Sequence, residues 1–219
     1  MALNKLKYNS LNVTPVANKA ISFDSDPDAL EATLEGGDMT FIKKLTASSD
    51  STLSFVDGSS SVVLDNTYKE YMFIFNNIHP ATDNVDFRFQ GNAAGGSGFN
   101  ETITSTAFQA YHNEADSATA LEYRTDFDQA QGTSFQQIAN NVGNGNDESI
   151  SGSLHLFNPS STTFVKHYMA RTNTYYYGDI TIDMNHAGYF NTTSAIDEIQ
   201  FKMSSGNIDA GTITLYGIN

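Results

Sequence analysis

Apolar residues in this chain recur every second position and almost never at helical spacing. No window sustains apolar residues at i, i+3, i+4 and i+7, so no amphipathic helix is expected. Val85–Gln90 shows the alternation most cleanly. Val85, Phe87 and Phe89 fall on one face, and Asp86, Arg88 and Gln90 on the other. That is the signature of an antiparallel strand buried on one side. Tyr68–Phe75 sets Tyr71, Phe73 and Phe75 on one face, and Ile199, Phe201 and Met203 alternate with Gln200 and Lys202.

Further short strands are expected at Thr40–Leu45, Thr52–Val56, Ser105–Tyr111, Ser151–Phe157, Thr163–Arg171, Gly188–Phe190, Glu198–Met203 and Thr212–Tyr216. Turn chemistry separates them: Asp57-Gly58, Gly95-Gly96-Ser97-Gly98, Asn144-Gly145-Asn146-Asp147 and Ser205-Gly206-Asn207. Many short strands joined by polar turns predict an all-β fold, an antiparallel β-sandwich of jelly-roll type occupying residues 39–219. Phe73, Phe75, Phe87, Phe89, Phe157 and Phe201 are expected to point inward.

Residues 1–38 read differently, as a short extended N-terminal arm or stem. Ala20-Ile21-Ser22-Phe23 is a brief strand, followed by Asp24-Ser25-Asp26-Pro27-Asp28, Ala29–Leu34 and the hinge Gly36-Gly37. Leu6, Tyr8, Leu11, Val13, Ile21 and Phe23, with Leu3 and Val16, are candidate anchor residues. A buried large apolar side chain contributes about 1.5–3 kcal/mol, and ordering each backbone residue costs about 1–2 kcal/mol. The arm therefore folds favourably only on a pre-formed partner surface; a flexible tail is the competing reading.

Composition narrows the function. With 25 acids against 11 bases the formal net charge is -14, a field that repels nucleic acid and anionic membranes. The absence of cysteine removes disulfides, thiol nucleophiles and thiolate metal sites, and fits folding in a reducing cytosol with robustness gained by assembly. The basic N-terminus has no apolar run behind it, so no signal peptide is expected, and no stretch approaches a membrane span.

Candidate chemistry is sparse. Asp24, Asp26 and Asp28 have the alternation of a calcium loop, but Ala29 stands where glycine is needed, so a solvated turn is expected. His79, His112, His155, His167 and His186 form no metal-binding pair along the chain. No nucleophile elbow and no phosphate-binding glycine loop occurs. The reading is therefore no enzyme, no catalytic residue, no metal and no cofactor. Tyr175-Tyr176-Tyr177 and Tyr111-His112-Asn113 carry the aromatic and amide groups that suit either a sugar platform or a protein interface.

Several phrases carry a resemblance. They are Met39–Ser49, Asn76–Asp83, Leu156–Thr163, Ala187–Ala195 and Ser205–Gly217. Together they span residues 39–217, and resemble the virion structural proteins of marine tailed phages, cyanophages among them, of the capsid decoration or tail fibre type. The resemblance implies a β-sandwich on the virion surface, a homotrimer contacting other virion proteins of capsid or tail, with no catalytic residues to carry over. A capsid decoration protein is the first expectation. A short tail fibre or spike binding host surface polysaccharide is the second.

Overall fold

The computed structural model describes Ser22–Phe23, Leu30–Glu31 and Met39–Asn219, and the chain divides into two units, residues 1–38 and 39–219. In the first unit β1 (Ser22–Phe23) pairs antiparallel with β2 (Leu30–Glu31). The anchor candidates Leu6, Tyr8, Leu11, Val13 and Ile21 and the Asp24–Asp28 turn lie outside the described residues, as does the side chain of Phe23.

The second unit is all-β, and no helix occurs among the described residues. Its strands are β3 (Met39–Thr46), β4 (Leu53–Val56), β5 (Glu70–Pro80), β6 (Val85–Ala93), β7 (Ile103–Asn113), β8 (Thr119–Tyr123), β9 (Ala130–Gly132), β10 (Gln136–Val142), β11 (Ile150–Phe157), β12 (Lys166–Tyr176), β13 (Ile180–Phe190), β14 (Ile196–Met203) and β15 (Ile208–Ile218). They form one antiparallel sheet of 13 strands, in the order β3-β15-β5-β11-β12-β10-β6-β14-β4, with β13, β7, β8 and β9 branching from β12.

This sheet curls back over itself into a nearly closed, barrel-like form. The joint is a single register pair, Val142 on β10 with Tyr176 on β12. Beyond it β6, β14 and β4 lie over β5 and β12. Phe73 meets Phe55 edge-on at 5.2 Å between centroids, and Phe75 meets Phe87 and Phe201 at 5.3 Å each. Each of these rings is fully buried. The alternation legible in β6 and β14 is the cause, since one face of each strand delivers only rings and aliphatics to the interior. A second, smaller core forms where β7 and β13 extend past the main one, from Ala107, Phe127, Ile182 and Met184.

Phe157 corrects the expected core. Leu154 and Leu156 point inward on β11, so the two-residue period turns Phe157 outward with His155. The turn signals mark real turns. Gly206 closes the β14–β15 hairpin at φ +71, where a side chain would also collide with Thr82.

Strand β10 and the centre of β13 depart from the apolar period because some of their inward positions are polar. Gln136 and Asn140 on β10 and His186 on β13 are buried. Gln136 donates from Nε2 to the carbonyls of Phe127 and Gln137, both at 2.8 Å, and its Oε1 accepts from the hydroxyls of Ser105 at 2.8 Å and Tyr168 at 3.2 Å. Fully satisfied, such a side chain is tolerated inside. Lys166 is also buried, and its ammonium donates to the carbonyls of Phe164 and Thr192. Burial lowers its pKa, against the pull of Glu101.

Candidate functional site

The long β12–β13 hairpin and the β7–β8 hairpin stand side by side, in register from Phe190 with Ile103 to Ile180 with Asn113. Their tips, together with the β10–β11 loop, enclose a cleft of about 460 Å³. Tyr175 forms one wall; His112, Glu114, Asp147, Asn173 and Ser149 supply the rest. The Tyr175 hydroxyl sits 3.2 Å from a carboxylate oxygen of Glu114 and 3.2 Å from one of Asp179. Partial burial first, then these two acceptors, push its phenol up to about 12. It therefore stays a neutral donor across the physiological range. His112 faces Asp116 at 3.0 Å, and Asn113 caps the hairpin by accepting from the backbone of Ser117 and Ala118.

An apolar ring surrounded by carboxylates, amides and hydroxyls matches the two kinds of surface a sugar presents. The tyrosines singled out in the sequence do not form one platform. Tyr175 lines the cleft, beside His112 and Asn113. Tyr111 and Tyr176 pack against the second core. Tyr177, exposed at the hairpin tip, stacks on Tyr176 with centroids 4.5 Å apart. The triple-tyrosine run is the end of β12 and the start of a turn, so alternation sends Tyr175 and Tyr176 to opposite faces.

The cleft residues not singled out include Glu114, Asp147, Ser149 and Asn173. Asp147 belongs to the run Asn144-Gly145-Asn146-Asp147, whose only sequence signal was that of a turn. The pairing of β11 with β12 that brings Ser151 beside Asn173 has no local signature.

A second feature crosses the outward face of β11, β12, β13 and β7. Two adjoining grooves share Thr106, Phe157, Met169 and Ala187. Gly188 borders the first groove with its backbone; a Cβ there would press inward on the Tyr168 hydroxyl at 2.6 Å and on the Thr104 carbonyl at 2.8 Å. On the rim His155 Nδ1 meets Glu70 Oε1 at 2.5 Å, and Arg171 grips Asp183 with two hydrogen bonds of 2.8 Å.

No protein-family model, no curated protein and no solved structure matches this chain.

Among the described residues no three His, Asp or Glu side chains gather as metal ligands. His186 sits apart, buried on the inward face of β13, with neither ring nitrogen hydrogen-bonded. Burial pushes its pKa down from 6.5 to about 4, so the ring is neutral at ordinary pH.

Proposed function

We propose that this chain is a non-enzymatic surface protein of a tailed-phage virion, decorating the capsid, and that its sheet is a jelly roll. The strand pairing carries this reading. Take β3, β4, β5, β6, β10, β11, β14 and β15 in chain order. The first pairs with the last, β3 with β15, and the second with the next to last, β4 with β14. Inside them β5 pairs with β11, and β6 with β10. Eight strands nested in this way make one long hairpin. Winding it sets alternate pairs edge to edge: β15 beside β5 in one layer, β14 beside β6 in the other. A wound hairpin of eight strands in two layers is the jelly-roll pattern, used by viral capsid proteins and lectins among others.

The remaining strands are insertions. β7, β8 and β9 enter between β6 and β10, and β12 and β13 between β11 and β14. Both insertions widen the same layer. Fold alone does not carry function; the resemblance of the long phrases to marine phage virion proteins supplies the biological half of the argument. These phrases lie on β3, β5, β11, β13 and β15 and their adjoining turns. All five belong to the widened layer. The strong negative charge suits an exterior protein with no packaged DNA to touch.

The experiment is peptide mass spectrometry of gradient-purified particles, with and without brief surface proteolysis of the intact virion. A virion surface protein gives peptides at a fixed ratio to the major shell protein and loses them on proteolysis. Absence from purified particles sinks the proposal.

The Tyr175 cleft favours a second reading, a short tail fibre that binds host polysaccharide. Its polar rim and half-buried tyrosine ring are unexplained by shell binding. Glycan-array binding that is lost in Tyr175→Ala would support it, and an array with no signal would remove it.

A further inference from the structure

The outward face of the widened layer breaks the rule that one side of an antiparallel sheet is apolar and the other polar. The opposite layer obeys it: Asp86, Arg88, Gln200 and Lys202 point outward between buried rings. On the widened layer the outward positions include Met72 and Ile74 on β5, Phe157 on β11, Met169 on β12, Ala187 on β13 and Phe108 on β7. Register lines them up. Met72 lies beside His155, His155 beside Met169, and Met169 beside Ala187. One step along, Phe108 lies beside Tyr123 of β8, and the next rung pairs Ala110 with Leu121. Met169 is 57% exposed and Leu121 75%.

We infer that this face is where two copies of the chain pack together. Charge selects the partner. On a chain of formal net charge -14, copies repel wherever their surfaces are acidic. Arg171 and Asp183 are the only Lys, Arg, Asp or Glu at outward positions of β7, β8, β11, β12 and β13, and they neutralise each other. On these five strands the face is thus electrically neutral, with Glu70 of β5 held against His155 at its rim, and it offers a second copy a contact with little repulsion. On these five strands its apolar members, Phe108, Leu121, Tyr123, Phe157 and Met169, stand without Lys or Glu, as in an interface centre. The extent fits as well. Five strands about 4.8 Å apart present roughly 700 Å² in projection, against roughly 800 Å² per partner in a standard interface. The inference stands whether or not the chain belongs to a virion.

The test is mass in solution, by sedimentation of the full chain at micromolar concentration. The wild type sediments as an oligomer. Met169→Glu and Phe108→Glu each weaken association at least about tenfold, because each sets a carboxylate against the neutral face of a neighbour. Gln200→Glu adds the same charge to the opposite layer and leaves association unchanged. Leu121→Glu, at the most exposed position, repeats the measurement where folding is not at stake. A monomeric wild type overturns the inference, whether the face is then bare or covered by the chain's own residues 1–38. So does an oligomer indifferent to all three face substitutions.

Discussion

Phe89 on β6 and Tyr168 on β12 meet edge to face with their ring centroids 5.0 Å apart. This contact fastens the β12–β13 insertion to the opposite layer. Tyr168 also reaches Gln136 through its hydroxyl, so it joins three strands that are distant in sequence. Gly188, its cross-strand neighbour, leaves the space in which that hydroxyl lies.

Tyr168→Ala should therefore destabilise the chain by about 3–5 kcal/mol in chemical denaturation, the usual range for emptying a ring from a packed core. Tyr168→Phe keeps the packing and loses one hydrogen bond, for about 1 kcal/mol. The Gln136 oxygen keeps Ser105 as a donor, which is why the smaller figure applies. Equal losses in the two variants would show that the ring contact is not what holds the insertion.

Phe201 and Phe157 look alike in sequence, each in an apolar alternating run. Phe201 touches Phe55, Phe73, Phe75, Phe87 and Phe89 and is fully buried. Phe201→Ala should cost about 3–5 kcal/mol. Phe157 lies on the outward face, and Phe157→Ala should cost about 1 kcal/mol or less while weakening self-association. Denaturation and sedimentation of the two variants separate the two roles.

The difference shows what the sequence could carry. Where alternation is strict, as in Val85, Phe87 and Phe89, both strand and inward face were legible. Leu154-His155-Leu156-Phe157 holds apolar residues in both registers near its end, and nothing local decides which set is buried. Strand β10 was illegible because Gln136 and Asn140 face inward, Gln136 being tolerated there through Ser105 and Tyr168 on other strands. The cleft was half legible. Tyr175 and the His112-Asn113 pair stood out as recognition chemistry, but their meeting depends on the β7–β13 pairing, which no local pattern announces. The order of strands, on which the functional proposal leans, is a long-range property with no counterpart in any short window.

His186 gives a pH prediction whose sign is fixed by burial. Its folded pKa of about 4 lies below the ordinary 6.5. Above pH 6.5 the ring is neutral in both states and costs nothing. As pH falls from 6.5 to 4 the unfolded chain takes up a proton that the folded chain refuses, and stability falls. Below about 4 both states are protonated and the loss is complete, on the order of 3 kcal/mol. His186→Leu should flatten the stability curve between pH 6.5 and 4 relative to wild type. Parallel curves for wild type and variant across that window would contradict the assignment.

The central proposal is that this β domain is a jelly roll on the outer surface of a virus particle. A density map of the intact particle tests this most directly. The account predicts a two-layered β body on the outside of the shell at regularly repeated positions. Fitting the chain should seat the Met169 and Phe108 face against a neighbouring copy. A map in which the chain lies inside the shell, or in which no density on capsid or tail accepts this fold, would contradict it.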